Sequence, residues 1–345
     1  MTSRTSACIL IAAAVVTAGS AIGCQSPSDS NGSIPIPEPS VTGWSSEKLN
    51  EVASYAELIG SAAVVVVHDG QVVFSWGDIE QKYQCHSIRK PFLGALYGIY
   101  VERGMLDLDA TMADLEIDDI PPQLTPQEKQ ASVRHLLQAR SGVYHEAAAE
   151  AESMMESRPE RGSHAPGTFY YYNNWDFNAL GTIFRQETGL NIFEAFEEQI
   201  AGPIGMEDFS LSDCAYHYEP DKSEHPAYMF RMSSRDMARF GLLYQNLGEW
   251  EGEQIVPSEW IRESTTSYTN ENPERDGYGY LWKIPTPNTG FDGAFYHTGL
   301  AVHLLLVWPE EKLVVVHRVD TDNEFTTTTE ELQTLVGVIS AARDG

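Results

Sequence analysis

A chain of 345 residues with 42% hydrophobic and 10% aromatic content can bury the core of one large domain or two small ones, and is not disordered. Its 22 basic and 50 acidic residues, a formal charge of −28, exclude a nucleic-acid binder, which needs basic patches to displace counterions from phosphate. The same charge works against long-range steering of anionic substrates.

The first residues read as an export signal. Arg4 is a short basic segment, and Ala7 to Gly19 is an apolar run of small residues, too short to span a bilayer. The run ends in Ala21-Ile22-Gly23-Cys24, which is similar to a bacterial lipobox. This predicts a signal peptide over 1–23 and lipidation of Cys24, with a conventional cleaved signal and a chance cysteine as the alternative. The expected location is the cell envelope, with the chain exported, held to the membrane by a lipid anchor and facing the periplasm. Residues 24–43, rich in Ser, Pro, Gly and Asn, read as a flexible tether.

A helix is predicted from Ser45 or Ser46 to about Ile59. Ala62 to His68 and Gln71 to Trp76 are β-rich runs joined by Asp69-Gly70, a hairpin signal. Helices follow at 87–103, 132–139, 174–188, 192–201, 234–247 and 258–265, several closed by glycine: Gly104, Gly189 and Gly248. Val302 to Trp308 and Lys312 to Val319 form a second hairpin around Pro309-Glu310-Glu311, and a last helix spans about 328–342. Strands at both ends with helices between them predict an α+β fold: an antiparallel sheet flanked by helices, with an inserted all-helical lobe. The boundaries are an α/β part over about 44–100 and 275–345, and a helical lobe over about 101–274.

Ser87-Ile88-Arg89-Lys90 lies where the strand region gives way to a long helix. Residues three apart share a helix face, so the Lys90 amine can meet the Ser87 hydroxyl, and backbone N–H groups at a helix start suit a developing oxyanion. Lysine serves as a base only if burial or a neighbouring cation lowers its pKa, and Arg89 is expected to point elsewhere. Ser45-Ser46-Glu47-Lys48 has the same spacing and reads as a solvated helix start. Pro166 to Asn174 leads from a turn into a helix and offers Tyr172 and Asn174, a phenol for proton transfer and an amide for holding a carbonyl; Tyr171 with Asn173 is the alternative register. His297-Thr298-Gly299 is placed just before a strand starting near Ala301, with the Leu300 N–H as a second oxyanion donor. Trp175 and Trp282 are candidate pocket walls. His145-Glu146 begins like a zinc motif, but Ala149 stands where the second histidine belongs, so neither a metal nor a cofactor is expected. Cys85 and Cys214 are either paired or two buried thiols.

In order, spacing and local context these stretches resemble the serine β-lactamase and penicillin-binding-protein superfamily, in the class C-like branch that includes esterases, D-amino-acid peptidases and 6-aminohexanoate-dimer hydrolases. The resemblance runs from about Trp44 to Ala342. It is supported by Ser132-Val133-Arg134-His135-Leu136-Leu137, Pro203-Ile204-Gly205-Met206, Ser234 to Gly241 and Tyr278-Gly279-Tyr280-Leu281-Trp282. It implies Ser87 as nucleophile, Lys90 as base, Tyr172 as proton carrier, and Asn174, His297, Thr298 and Gly299 as the remaining motif residues. His297 stands where most members have a lysine that helps bind a substrate carboxylate. With an acidic chain around it, this favours a small neutral ester or amide as substrate. The alternatives are a penicillin-binding carboxypeptidase or β-lactamase, and a non-catalytic envelope binding protein.

Overall fold

Ser45 caps the first helix by accepting from the Lys48 N–H, and α1 (Ser46–Leu58) packs its buried face, Val52 and Ala56, on the sheet that follows. Residues 43–269, 276–287, 289–300 and 302–343 are described by this computed structural model; the expected signal segment, Cys24 and the expected tether as far as residue 42 lie outside them. Asp69 and Gly70 both take positive φ, 50° and 76°, as a two-residue hairpin turn requires, and join β1 (Ala63–His68) to β2 (Gln71–Gly77). A short β3 (Tyr83–Gln84) leads through a 3-10 turn, His86–Ile88, into α2 (Arg89–Glu102). Pro91 occupies the first turn of α2, where its missing N–H costs nothing, and the helix continues beyond it.

The middle of the chain holds α3 (Val133–Leu137), α4 (Glu152–Ser157), α5 (Asn174–Thr188) and α6 (Ile192–Phe196), the last running on into a π turn, Glu197–Ala201. Then come β4 (Cys214–His217), β5 (Ala227–Met232), α7 (Ser234–Gln245), a small hairpin of β6 (Glu249–Trp250) and β7 (Glu253–Gln254), and α8 (Ser258–Ser264). The chain returns through β8 (Gly277–Tyr278), β9 (Lys283–Ile284), β10 (Phe295–Gly299), β11 (His303–Trp308) and β12 (Leu313–Arg318) to α9 (Thr329–Ala341).

The two ends of the chain meet in one antiparallel sheet of order β2-β1-β12-β11-β10-β9-β8, with Ala63 opposite Arg318 and His68 opposite Leu313. Both faces are covered, so β1 is a continuous apolar run rather than an alternating one. Val64, Val66, Leu304, Leu306 and Val315 face α1 and α9; Val65, Val67, Leu305, Val314 and Val316 face the larger core with α7. Each such side chain contributes roughly 1.5–3 kcal/mol relative to an exposed one. Gly241 lets α7 lie close to the sheet, since a Cβ there would come within 2.5 Å of Val314.

Two boundaries differ from expectation. The inserted region is not all helical: its β4 and β5 form a second sheet with β3, in the order β3-β5-β4, and α7 packs on the main sheet. β3 and β4 are short, β4 is half-exposed, and β5 is mostly buried without a strict alternation, so the three give little periodic signal. His297-Thr298-Gly299 precedes a strand, β11, but is itself the end of another, β10, and the chain turns at Leu300 (φ 47°) between the two. No helix among the described residues is long and apolar enough to cross a membrane.

Candidate active site

Ser87 is placed by the seam between the two sheets. The Cys85 N–H donates to the Phe230 carbonyl of β5 at 2.9 Å, His86 takes a positive φ of 46°, and Ser87 follows in the middle of the 3-10 turn. The helix expected from residue 87 starts at Arg89. In 3-10 geometry residues three apart nearly eclipse, and this brings Lys90 Nζ within 2.7 Å of Ser87 Oγ.

Lys90 is fully buried, with Nζ 4.9 Å from the centre of the Tyr172 ring and 4.8 Å from that of Phe177. Burial pushes its pKa well below that of an ordinary lysine, and the Arg89 and Lys283 charges push in the same direction. Arg89 therefore does not point away, as expected from sequence. It lines the cleft, its guanidinium 4.8 Å above the Tyr228 ring, reaching only the neutral His86 carbonyl and Asn178 Oδ1, both at 3.4 Å.

Of the two possible tyrosine–asparagine registers, Tyr172 and Asn174 face the cleft. The other pair has structural duties: Tyr171 donates to the Met154 carbonyl at 2.5 Å, and Asn173 caps α5 by accepting from the Asp176 N–H at 2.9 Å. Burial raises the Tyr172 pKa well above that of a free phenol, opposed by the Ser87 hydroxyl and the Arg89 charge. Asn174 donates to the Ala149 carbonyl and keeps a buried Oδ1 without a partner; it makes no hydrogen bond to Lys90. Trp175 and Trp282 are not pocket walls. Both are fully buried, and Trp175 donates to Asp119 at 2.6 Å.

On the sheet side, His297 is buried beside Tyr172, with ring centres 6.2 Å apart, and its Nδ1 lies 2.9 Å from the Thr298 carbonyl. Burial, with Lys283 and Lys90 close by, holds its pKa well below the ordinary value, so the ring is neutral. Thr298 and the exposed Leu300 line the cleft. Gly299 is required by the protein itself, because a Cβ there would fall 2.6 Å from the Cys85 carbonyl oxygen and 3.1 Å from His86. Strand β10 thus lies directly against the turn that carries Ser87.

Lys283 is the residue that sequence reasoning missed. It sits on β9 opposite Tyr296, and its Nζ donates to Thr298 Oγ1 at 2.8 Å. A two-residue strand has no readable alternation, and Trp282-Lys283-Ile284 matches no motif; only pairing with β10 brings this lysine to the cleft. A basic side chain absent at position 297 is therefore supplied from the neighbouring strand, its pKa lowered by burial against the opposing charge of Asp276.

Together these side chains line a cleft of about 590 Å³, with His86, Ser87, Arg89, Tyr172, Asn174, Lys283, Thr298 and Leu300 on its walls and α4 over one side. Among the described residues no group of three or more His, Cys, Asp or Glu side chains is arranged to hold a metal ion.

An antiparallel sheet built from both chain ends, with a serine and a buried lysine at the seam with a mostly helical region, defines a β-lactamase-type fold. The Beta-lactamase family model matches residues 51–333, and the chain belongs to that family of hydrolases. It is 23% identical over 306 residues to an uncharacterized protein of Alkalihalophilus pseudofirmus, covering 77% of this chain and 86% of that one. Its fold is similar to that of a Bacillus anthracis protein assigned as a 6-aminohexanoate-dimer hydrolase, with a TM-score of 0.64, 24% identity, and coverage of 84% of this chain and 80% of that one. It is also similar to the octameric penicillin-binding protein homologue of Pyrococcus abyssi, with a TM-score of 0.63, 20% identity, and coverage of 86% and 78%. A penicillin-binding protein of Bacillus halodurans gives a TM-score of 0.63 at 15% identity, with coverage of 84% and 99%.

Proposed function

We propose that this protein is an exported serine hydrolase in which Ser87 forms an acyl-enzyme with an ester or amide substrate. The observation that carries the reading is the 2.7 Å contact between Ser87 Oγ and Lys90 Nζ in a cleft shared with Tyr172 and Thr298. Lys90, held neutral by burial, takes the hydroxyl proton as Ser87 Oγ bonds to the substrate carbonyl carbon. Burial keeps the Tyr172 hydroxyl protonated, so it enters the cycle as the acid: it protonates the departing alcohol or amine and is reprotonated from Lys90. The backbone N–H groups of Ser87 and Leu300 receive the tetrahedral oxyanion, each contributing about 3–4 kcal/mol. Water then attacks the acyl-enzyme by the same route in reverse and releases the acid.

The test is labelling by a fluorophosphonate probe with turnover of nitrophenyl esters. Wild type is expected to be labelled at Ser87 and active, and Ser87→Ala to be neither. A folded wild type that is not labelled would leave the binding-only alternative standing. We also propose lipidation at Cys24, supported by the Ala21-Ile22-Gly23-Cys24 stretch; palmitate incorporation lost in Cys24→Ser tests it.

A further inference from the structure

Arg318 ends β12, is fully buried, and bonds to no carboxylate among the described residues. A buried charge is costly to keep unless it is paired or its hydrogen-bonding groups are filled. An arginine has five N–H donors, and here each meets a neutral acceptor. Nε donates to His303 Nδ1 at 3.0 Å. One terminal nitrogen donates to the Met232 carbonyl at 3.0 Å and to Met237 Sδ at 3.8 Å. The other donates to the Tyr83 and Gln84 carbonyls at 2.9 and 2.8 Å. A guanidinium is planar and rigid, so these contacts tie β12 and β11 of the main sheet to β3 and β5 of the second one with a definiteness that a flexible ammonium lacks.

The segments held in this way lead to the two N–H groups that receive the oxyanion. Gln84 is followed by Cys85 and by His86, whose φ of 46° is strained for a residue with a Cβ, and Ser87 comes next. On the other side His303 is the register partner of Gly299, and Leu300, also strained at φ 47°, follows Gly299 directly. Strain of this kind persists only where the surroundings over-determine it. The two strained residues flank one close approach, that of Gly299 to the Cys85 carbonyl and His86. Arg318 grips the chain on both sides of that approach, through Tyr83 and Gln84 toward Ser87 and through His303 toward Leu300. Its charge acts on Cys85 and His86, and Thr321, three residues further along, holds the His86 ring with Oγ1 2.7 Å from Nε2. We propose that Arg318 is a positioning residue for oxyanion stabilisation, setting the separation and aim of the Ser87 and Leu300 N–H groups from beneath the site. It does so only if Ser87 is the acylated nucleophile, and it touches neither that serine nor the substrate.

Three variants test it. Arg318→Lys keeps the charge and loses the fork. His303→Leu keeps the arginine and removes its partner on β11, and His303→Asn, whose Oδ1 can stand where Nδ1 does, is the conservative control. Each is assayed on a 4-nitrophenyl ester and on the matching thionoester, in which sulfur replaces the carbonyl oxygen and gains less from N–H donors. In Arg318→Lys and His303→Leu, kcat for the oxygen ester should fall about 10- to 100-fold with KM little changed. The oxygen-to-sulfur ratio of kcat/KM should fall about tenfold in both, and His303→Asn should keep most of it. The ratio is taken within each variant, so a loss of folded enzyme cancels. A purely structural role would lower Tm and leave the ratio of the wild type, and that result overturns the proposal. If Arg318→Lys does not fold, His303→Leu reads the same ratio with the arginine in place. A wild type that prefers the oxygen ester no more than hydroxide ion does overturns the proposal without any variant. If wild type is labelled at Ser87 and the ratio does not move, only this proposal fails; if it is neither labelled nor active on any ester, the hydrolase reading fails first.

Discussion

Lys90 Nζ lies 2.7 Å from Ser87 Oγ, and the same amine feels Arg89 from the α5–β5 side and Lys283 from the β9–β10 side. All three influences, burial first, disfavour its protonation. An amine kept neutral in this way is a usable base, and it is also a cost to the fold. Between its folded pKa and the ordinary value of a lysine, the unfolded chain binds one more proton than the folded one, so stability from this group rises with pH. Below the folded pKa the penalty is complete, about 1.4 kcal/mol for each unit of depression.

Lys90→Met should therefore be inactive yet more stable at neutral pH. The expected result is a Tm raised by a few degrees, with kcat on a nitrophenyl ester reduced about 10²- to 10⁴-fold. Lys90→Arg should be as inactive, because a guanidinium cannot release its proton. Thermal melts and steady-state rates on the three proteins check both; substantial activity in Lys90→Arg would remove Lys90 from the role of base.

The acid limb of the pH profile should report the same amine. As pH falls through the folded pKa of Lys90 the base is protonated and kcat/KM drops. Arg89→Gln removes a like charge, which raises that pKa, so the limb moves to higher pH while the plateau above it survives. A limb that stays in place would assign it to another group.

Most of the frame was legible because long periodic segments dominate it. The span 174–188 and the two terminal hairpins follow directly from apolar spacing, Asp69-Gly70 and Gly189. Ser87, Lys90, Tyr172 and Thr298 were found through local spacing and resemblance, and the cleft gathers them. Lys283 was out of reach because its role depends on a two-residue strand pairing with β10, and Arg89 because neighbours in sequence say nothing about which way a turn delivers a side chain.

The two remaining thiols should be free. Cys85 follows β3 and Cys214 opens β4, with β5 between them: Cys85 donates its N–H to Phe230, which is itself the register partner of Cys214. Two strand spacings, about 9–10 Å, exceed the roughly 7 Å that a disulfide can bridge. Burial also raises the pKa of Cys85 to about 11 and of Cys214 to about 12. Iodoacetamide at about pH 8 should leave Cys85 of the native protein unmodified, and should alkylate both residues in denaturant without reductant. A peptide pair linked through 85 and 214 in the mass spectrum would contradict this.

Gly299→Ala tests whether the contact between β10 and the nucleophile turn sets the geometry of the site. The added methyl would meet the Cys85 carbonyl at 2.6 Å, and a backbone carbonyl cannot swing aside as a flexible side chain can. Either β10 or the turn 85–87 must move, and both carry groups that line the cleft. A destabilisation of about 1–3 kcal/mol is expected from the overpacking. Because a displacement near 1 Å at a reacting centre costs about 10²-fold in rate, kcat should fall by a similar factor in protein that remains folded at the assay temperature. Gly337→Ala on α9, where a Cβ meets nothing within 4 Å and φ is not positive, is the comparison at a glycine remote from the nucleophile turn. If Gly299→Ala lost stability but kept its kcat, the strand would be a support for the fold and not for the placement of Ser87.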